Sequence, residues 1–350
     1  MQTPVKYGIV GVGGFGAMRR KWLRQSEAFK IVGGVDIRPE AFDEAERQER
    51  KPLRRYASVE ALAADPEIEA VFISTPAQFH IEQALIASRA GKAVFVEKPL
   101  GHDLAACREL VEYCEKHNIP HGHGFSSRFA DIWQYVKTLL DEGKLGQVIS
   151  ISASTMSSAG FYFPPDNWRF RADENPGGPL FQCGVHKLDL LRYLFGEGEW
   201  LAGYVNKTVT PTATDDAYVV LGRFGGIPTT FHSNYVASYR HAMEIYGTEG
   251  DLFLTEYPMS ITYKQTGKNT EGEPLVNLMD LIPEADAEGD ALRDFAAAVR
   301  DRRQPKMNGR EGLRAVELIL EAVRISTPMQ LPGSAKPSRK KVARELAGLA

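Results

Sequence analysis

The stretch Val5-Lys6-Tyr7-Gly8-Ile9-Val10-Gly11-Val12-Gly13-Gly14-Phe15-Gly16 decides the fold. A short apolar run leads straight into a G-x-G-x-x-G pattern, and an amphipathic stretch, Phe15 to Gln25, follows it. That order predicts strand, tight turn and helix, the context in which such a loop binds a dinucleotide. Gly11 permits the turn, Gly13 lets the backbone approach a pyrophosphate, and Gly16 lets helix and strand pack closely. Gly14 and Phe15 complete a loop whose amides and helix dipole favour an anion. Twenty residues past Gly16 stands Asp36, ending the strand candidate Ile31 to Asp36. A carboxylate there accepts hydrogen bonds from ribose hydroxyls and repels a 2′-phosphate. Arg38 either stacks on adenine or offsets such a phosphate, so NAD is the expected cofactor and NADP stays open.

Outward from this unit the same alternation continues. Ala70 to Ser74, Ala93 to Glu97 and Pro120 to Gly124 read as strands, nearly continuous in apolar character and so buried on both faces. Arg38 to Glu49, Phe79 to Ala90, Asp103 to His117 and Phe129 to Glu142 read as helices, with Gly91 placed to cap one of them. The pattern changes after Gly143-Lys144-Leu145-Gly146. A long strand candidate, Gln147 to Thr155, precedes a loop rich in Pro, Gly and aromatics, then one helix, Pro179 to Phe195, then Gly- and Pro-punctuated strands from Leu201 to Tyr263. Helices at Ala287 to Asp301 and Glu311 to Ile325 close the fold. The expected fold class is α/β: a Rossmann domain over 1–125, and an α+β domain over 126–335 with a large, mainly antiparallel open sheet. The C-terminal helices are free to pack back on the first domain. A basic tail, 336–350, carries five basic residues between Lys336 and Arg344 and reads as a solvated terminal segment.

Composition narrows the function classes. A length of 350 residues suits two domains, and 42 Lys plus Arg against 45 Asp plus Glu leave a formal charge of −3. That balance argues against a nucleic-acid partner. Three cysteines, Cys107, Cys114 and Cys183, without C-x-x-C spacing indicate neither a disulfide framework nor a zinc knuckle, and reduced thiols fit the cytoplasm. The first residues lack a leader pattern and no run is long and apolar enough to span a bilayer, so neither export nor a membrane is expected. His121-Gly122-His123 supplies two imidazoles without a third or fourth ligand, so no metal is expected.

Five sets of residues then carry a resemblance: the glycine loop; Ser74-Thr75-Pro76 with His80; Glu97-Lys98-Pro99; Arg128-Phe129; and Gly184-Val185-His186 followed by Asp189. In order and spacing the chain resembles the Gfo/Idh/MocA family of NAD(P)-dependent sugar and cyclitol oxidoreductases. The resemblance implies that Lys98 lies beside the nicotinamide and the substrate hydroxyl, and that the Lys98–Pro99 bond is cis. The physics of the position agrees. Lys98 follows a buried strand at its carboxyl end, where doubly wound sheets bind ligands, and burial depresses an ammonium pKa toward a useful base.

Glu97 either pairs with Lys98, touches the cofactor or is a satisfied strand-end carboxylate. His80 either contacts cofactor or substrate, as the resemblance implies, or caps a helix. Spacings of four and three put Gln182, His186 and Asp189 on one helix face. Inositol dehydrogenase-like members carry Asp at the first of these positions, paired with the His as acid and base. Gln182 can orient an imidazole or bind a hydroxyl, yet cannot stabilise imidazolium as a carboxylate does. Lys98 is therefore expected as the main acid–base group with His186 assisting, and Asp189 clamps hydroxyls or orients His186. Tyr162, Trp168, Arg169 and Arg171 lie in the irregular loop, where aromatic faces and charged groups suit a sugar pocket. Arg128 is a further candidate near the substrate.

The expected reaction is hydride transfer between a nicotinamide and a secondary hydroxyl of a sugar, glycoside or cyclitol, by a homo-oligomer, dimer or tetramer. A redox-assisted glycosidase with tightly held NAD, and a non-catalytic NAD-binding sensor, are the rival readings.

Overall fold

The computed structural model describes residues 3–207, 213–267, 275–282 and 286–329, and the basic tail lies outside them. Six parallel strands form the first sheet: β1 (Val5–Val10), β2 (Phe29–Val35), β3 (Arg54–Arg55), β4 (Ala70–Ile73), β5 (Ala93–Val96) and β6 (His121–His123). Their order, β3-β2-β1-β4-β5-β6, is that of a doubly wound Rossmann sheet, and the reversal falls between β1 and β4. The crossover helices are α1 (Phe15–Gln25), α2 (Glu40–Glu49), α3 (Val59–Ala63), α4 (His80–Arg89) and α5 (Leu104–Lys116). All four residues of β4 and of β5 are buried, as their unbroken apolar character requires. The second strand runs Phe29–Val35, so Asp36 stands just beyond it rather than ending it. The pair β3 and α3 escaped the sequence reading because both are too short to show a period.

α6 (Asp131–Asp141) leads into the second sheet. In chain order the remaining elements are β7 (Val148–Met156), α7 (Ala159–Tyr162), α8 (Val185–Phe195), β8 (Gly198–Asn206), β9 (Ala217–Phe224), β10 (Ile227–Asn234), β11 (Arg240–Gly247), β12 (Gly250–Glu256), β13 (Met259–Gln265), β14 (Val276–Asn277), α9 (Ala287–Asp301), α10 (Gly309–Ile325) and β15 (Ser326–Pro328). Nine described strands pair in the order β14-β13-β12-β11-β7-β10-β9-β8-β15. Only β7 with β10 and β8 with β15 run parallel, so the open sheet is mainly antiparallel. Alternation sorts its faces: Tyr218, Val220 and Phe224 of β9 are buried on the side covered by α8, while Val219 and Leu221 face outward.

α9 returns to the first sheet. Its Phe295, 1% exposed, lies with its ring centroid 6.0 Å from Phe29, 5.7 Å from Phe72 and 5.3 Å from Phe95. Aromatic packing of this kind adds about 0.5–1.5 kcal/mol per pair beyond burial, so the end of the chain helps to fill the core of its beginning.

Candidate active site

The carboxyl ends of β1, β4 and β5 converge on one cavity of about 340 Å³. At β1 the glycine loop has the shape a diphosphate needs. Gly11 has φ +84°, and a Cβ on Gly16 would lie 1.8 Å from the Gly11 carbonyl oxygen, so helix and strand meet closely only because no side chain stands there. No side chain caps α1, whose Gly16 and Ala17 amides donate to the Gly13 and Gly14 carbonyls, and Phe15 lines the cavity. The loop fits NAD.

Asp36 braces this loop. Its Oδ2 accepts from the Gly13 amide at 2.9 Å and its Oδ1 from the Arg38 amide at 2.9 Å. Against the upward push of partial burial, these bonds and the Arg38 charge hold the carboxyl below its usual range. The Arg38 guanidinium folds back over the loop, where it would stand 2.5 Å from a Cβ on Gly13.

At β4, Ser74, Thr75 and Pro76 line the cavity, and Thr75 Oγ1 donates to Gln83 at 2.6 Å. The Ser74 hydroxyl is buried without a protein partner. His80 lines the cavity too. Its Nδ1 lies 2.9 Å from the Pro99 carbonyl oxygen and its Nε2 2.8 Å from that of Thr75. The neutral ring favoured by burial carries one N–H and donates to one of these two carbonyls, so the imidazole sits between the β4 turn and the β5 turn.

After β5 comes Glu97-Lys98-Pro99, with a cis bond between Lys98 and Pro99. Glu97 pairs neither with Lys98 nor with the cofactor loop: Arg19 Nε donates to its Oε1 at 2.5 Å, and Arg19 Nη1 reaches Glu288 of α9 at 3.0 Å. Lys98 lines the cavity and makes no hydrogen bond or ion pair among the described residues. Burial depresses its pKa, and Arg169 and Arg19 add to the depression against the opposing charge of Glu97. A lysine in this state is available as a base.

The far wall departs from the expected single helix. Leu180–Gly184 forms a π-helical turn before α8, which widens the spacing and presents Gln182 and Cys183 to the cavity. The Gln182 Nε2 is buried with no partner among the described residues. His186 stands one turn deeper and does not line the cavity. It packs 5.9 Å, ring to ring, from Phe125, and its pKa is pulled well below the ordinary value by burial and then by Lys98. Lys98 and His186 are therefore within electrostatic reach, and both are biased toward neutrality.

Asp189 and Arg128 are removed from the substrate-binding set. Asp189 is fully buried and takes a two-pronged bond from Arg128, Nε at 2.9 Å and Nη2 at 2.5 Å. Arg128 also reaches Glu311 at 2.6 Å, which Arg192 holds at 2.8 Å. The shared helix face predicted from spacing is real for His186 and Asp189 only as sequence geometry: Asp189 turns into an ion network. Tyr162 is 64% exposed and outside the lining, and Arg171 pairs with Glu174 instead.

Trp168 and Arg169 do line the cavity, on a 3-10 turn whose Arg169 amide is capped by Asn167 at 3.1 Å. Sequence reasoning missed Asn175, which also lines it. The Asn175 amide donates to the Arg169 carbonyl at 2.7 Å and the Tyr235 hydroxyl at 3.0 Å, fixing the loop. It missed His102 and Phe181, and a polar group behind His186 as well. There Glu256 accepts from Lys187 at 2.5 Å and lies 3.2 Å from His241, with Tyr239 and Tyr257 against that ring. Nothing local marks Glu256, because Lys187 of α8 meets it from 69 positions away.

Comparison with known proteins agrees with this geometry. Residues 5–124 match the model described as oxidoreductase family, NAD-binding Rossmann fold, and residues 133–253 match the GFO/IDH/MocA C-terminal domain. The chain is 29% identical over 287 residues to 1,5-anhydro-D-fructose reductase of Ensifer adhaerens, covering 79% of this chain and 83% of that protein. It is 25% identical over 329 residues to inositol 2-dehydrogenase of Rhizobium meliloti, covering 91% and 96%. Levoglucosan dehydrogenase in complex with NADH has the same fold, with a TM-score of 0.81 at 20% identity over 93% of this chain and 97% of that one. The chain belongs to the Gfo/Idh/MocA family of oxidoreductases, an NAD-binding Rossmann domain joined to that family's C-terminal domain.

Proposed function

We propose that the protein is an NAD-dependent dehydrogenase acting on a secondary hydroxyl of a small sugar, glycoside or cyclitol. The observation that carries this reading is Lys98: an uncommitted amine, depressed in pKa, on the wall of a cavity that opens beside the glycine loop. The named activities of the anhydrofructose reductase and the inositol dehydrogenase support the substrate class.

The bound nicotinamide supplies the hydride acceptor. The chain supplies the rest. The Rossmann loop would hold the diphosphate and Asp36 would meet the ribose. Lys98, as the free amine, takes the hydroxyl proton while the C–H bond of the same carbon breaks. Gln182 offers an amide to a neighbouring hydroxyl, and neutral His186 keeps a second cation away from Lys98. Trp168 gives an aromatic face to the ring of the substrate.

We assign residues 1–125 to cofactor binding and 126–335 to substrate binding and assembly. The outward face of the nine-stranded sheet, with Leu201, Tyr204, Val219 and Leu221 exposed, supports a homo-oligomer, and three free thiols support a reducing cytoplasm. No described helix is long and apolar enough to cross a membrane.

A panel of cyclitols, free sugars and glycosides, read by NADH absorbance with NAD and NADP separately, tests the reading. NADH formation on a polyol supports it. Release of free sugar from a glycoside without NADH selects a redox-assisted glycosidase, and silence on every polyol at saturating NAD sinks the enzyme reading.

A further inference from the structure

The cavity holds nitrogen donors with few acceptors among the described residues. Gln182 Nε2 is buried and has no partner among them. Arg169 is half-buried, with its guanidinium carbon 4.4 Å from the Phe163 ring centroid and 4.6 Å from that of Trp168. Its one side-chain bond goes to the neutral Asn167 oxygen at 3.3 Å, and no carboxylate pairs with it among the described residues. Lys98 is equally unpaired. Burial, the first cause, lowers the pKa of both cations, for Lys98 against the opposing charge of Glu97.

The acids nearby are only partly committed. Glu97, which also lines the cavity, takes Arg19 on one oxygen, and its buried Oε2 has no hydrogen-bond partner among the described residues. Glu256 is held by Lys187 and His241. At position 182, where a carboxylate would balance the site, the chain has an amide. A half-buried guanidinium without an anion is costly, and a ligand that brings the anion recovers that cost.

We propose that the substrate is a polyhydroxylated carboxylate, a sugar acid whose carboxyl group is received by Arg169 and Gln182 while Lys98 faces the hydroxyl to be oxidised. This rests on the dehydrogenase reading. The carboxylate is a spectator: the carbinol C–H bond breaks with hydride passing to NAD, the O–H proton passes to Lys98, and the product is the keto acid. Arg169 supplies the planar, two-pronged donor that a carboxylate matches and a neutral hydroxyl does not.

The test uses matched pairs, D-glucuronate with D-glucose and D-galacturonate with D-galactose, assayed with NAD on the wild type, Arg169→Gln, Arg169→Lys and Gln182→Glu. A charge-assisted bond sets the expected preference in kcat/KM for the acid of each pair at about 10- to 100-fold. Arg169→Gln narrows that gap to a few fold, Arg169→Lys keeps part of it, and Gln182→Glu narrows it by repulsion, which also covers a misfolded Arg169→Gln. Equal kcat/KM within each pair overturns the proposal. So does an Arg169→Gln effect that falls on the KM for NAD rather than the acid, because the guanidinium then serves the cofactor diphosphate. If no member of any pair yields NADH, these substrates do not support the dehydrogenase reading, and calorimetry on the enzyme–NADH complex decides the charge question by itself. Binding of D-gluconate without D-glucitol supports an acid site, and equal binding or none overturns it.

Discussion

Arg19, one turn into the helix that follows the glycine loop, donates to Glu97 at 2.5 Å, immediately before Lys98. The side chains are 2% and 5% exposed, so the pair is a dry strut between the cofactor loop and the base. Breaking one side leaves a buried charge alone, which costs about 3–5 kcal/mol. Arg19→Met therefore lowers unfolding stability by that order in urea denaturation, and Arg19→Met with Glu97→Gln recovers much of the loss. A double variant no more stable than the single one refutes the strut.

Lys98 must be unprotonated to accept the hydroxyl proton. Its folded pKa is lowered, so kcat/KM for alcohol oxidation rises with pH through a pKa below the ordinary lysine value and then levels. Lys98→Met loses about 10²–10⁴-fold in kcat/KM while its NAD affinity, measured by calorimetry, stays within a few fold. A rising limb that survives unchanged in Lys98→Met assigns the proton to another group.

Three imidazoles, His121 and His123 buried and His102 half-buried, make the fold sensitive to acid. Burial lowers His102 and His121 to about 4 and His123 to about 3. In each case the unfolded chain binds the proton first, near 6.5, so stability is fully present above pH 6.5 and is lost as pH falls toward 4. Urea unfolding at pH 7, 6, 5 and 4 shows a falling midpoint, and His121→Asn makes the fall shallower. An unchanged midpoint between pH 7 and 5 contradicts this.

Arg128 and Asp189 were candidates for the substrate, and the ion network makes them structural. Arg128→Leu strands the Asp189 carboxyl, already pushed up by burial to about 6, and destabilises the protein by about 3–5 kcal/mol. The purified variant keeps the wild-type KM for its substrate to within a few fold. A tenfold rise in KM without loss of stability returns Arg128 to the pocket.

These corrections show where sequence reading stops. The β1 loop, Asp36 and Lys98 were legible because each belongs to a motif whose context is local: strand, turn and helix within a few residues. Lys98 needs only the end of one buried strand to be placed. Asp189 is different. Three residues from His186, it shares a predicted face, but spacing within one helix cannot say whether a cavity or Arg128 waits opposite. Gln182 reached the cavity through a π-helical turn that no periodicity announces. Glu256 and His241 meet across β11 and β12, and Asn175 anchors a loop to Tyr235 sixty positions later. A local irregularity placed Gln182, and contacts between elements placed the others.

The return of Phe295 to the rings of Phe29, Phe72 and Phe95 has a consequence for synthesis and for engineering. The nucleotide-binding half leaves the ribosome with an apolar hollow that only a segment made some two hundred residues later can plug. Nascent chains must wait, shielded, until that helix emerges. Anyone grafting the amino-terminal module onto a sister protein has to transplant residues 287–301 along with it.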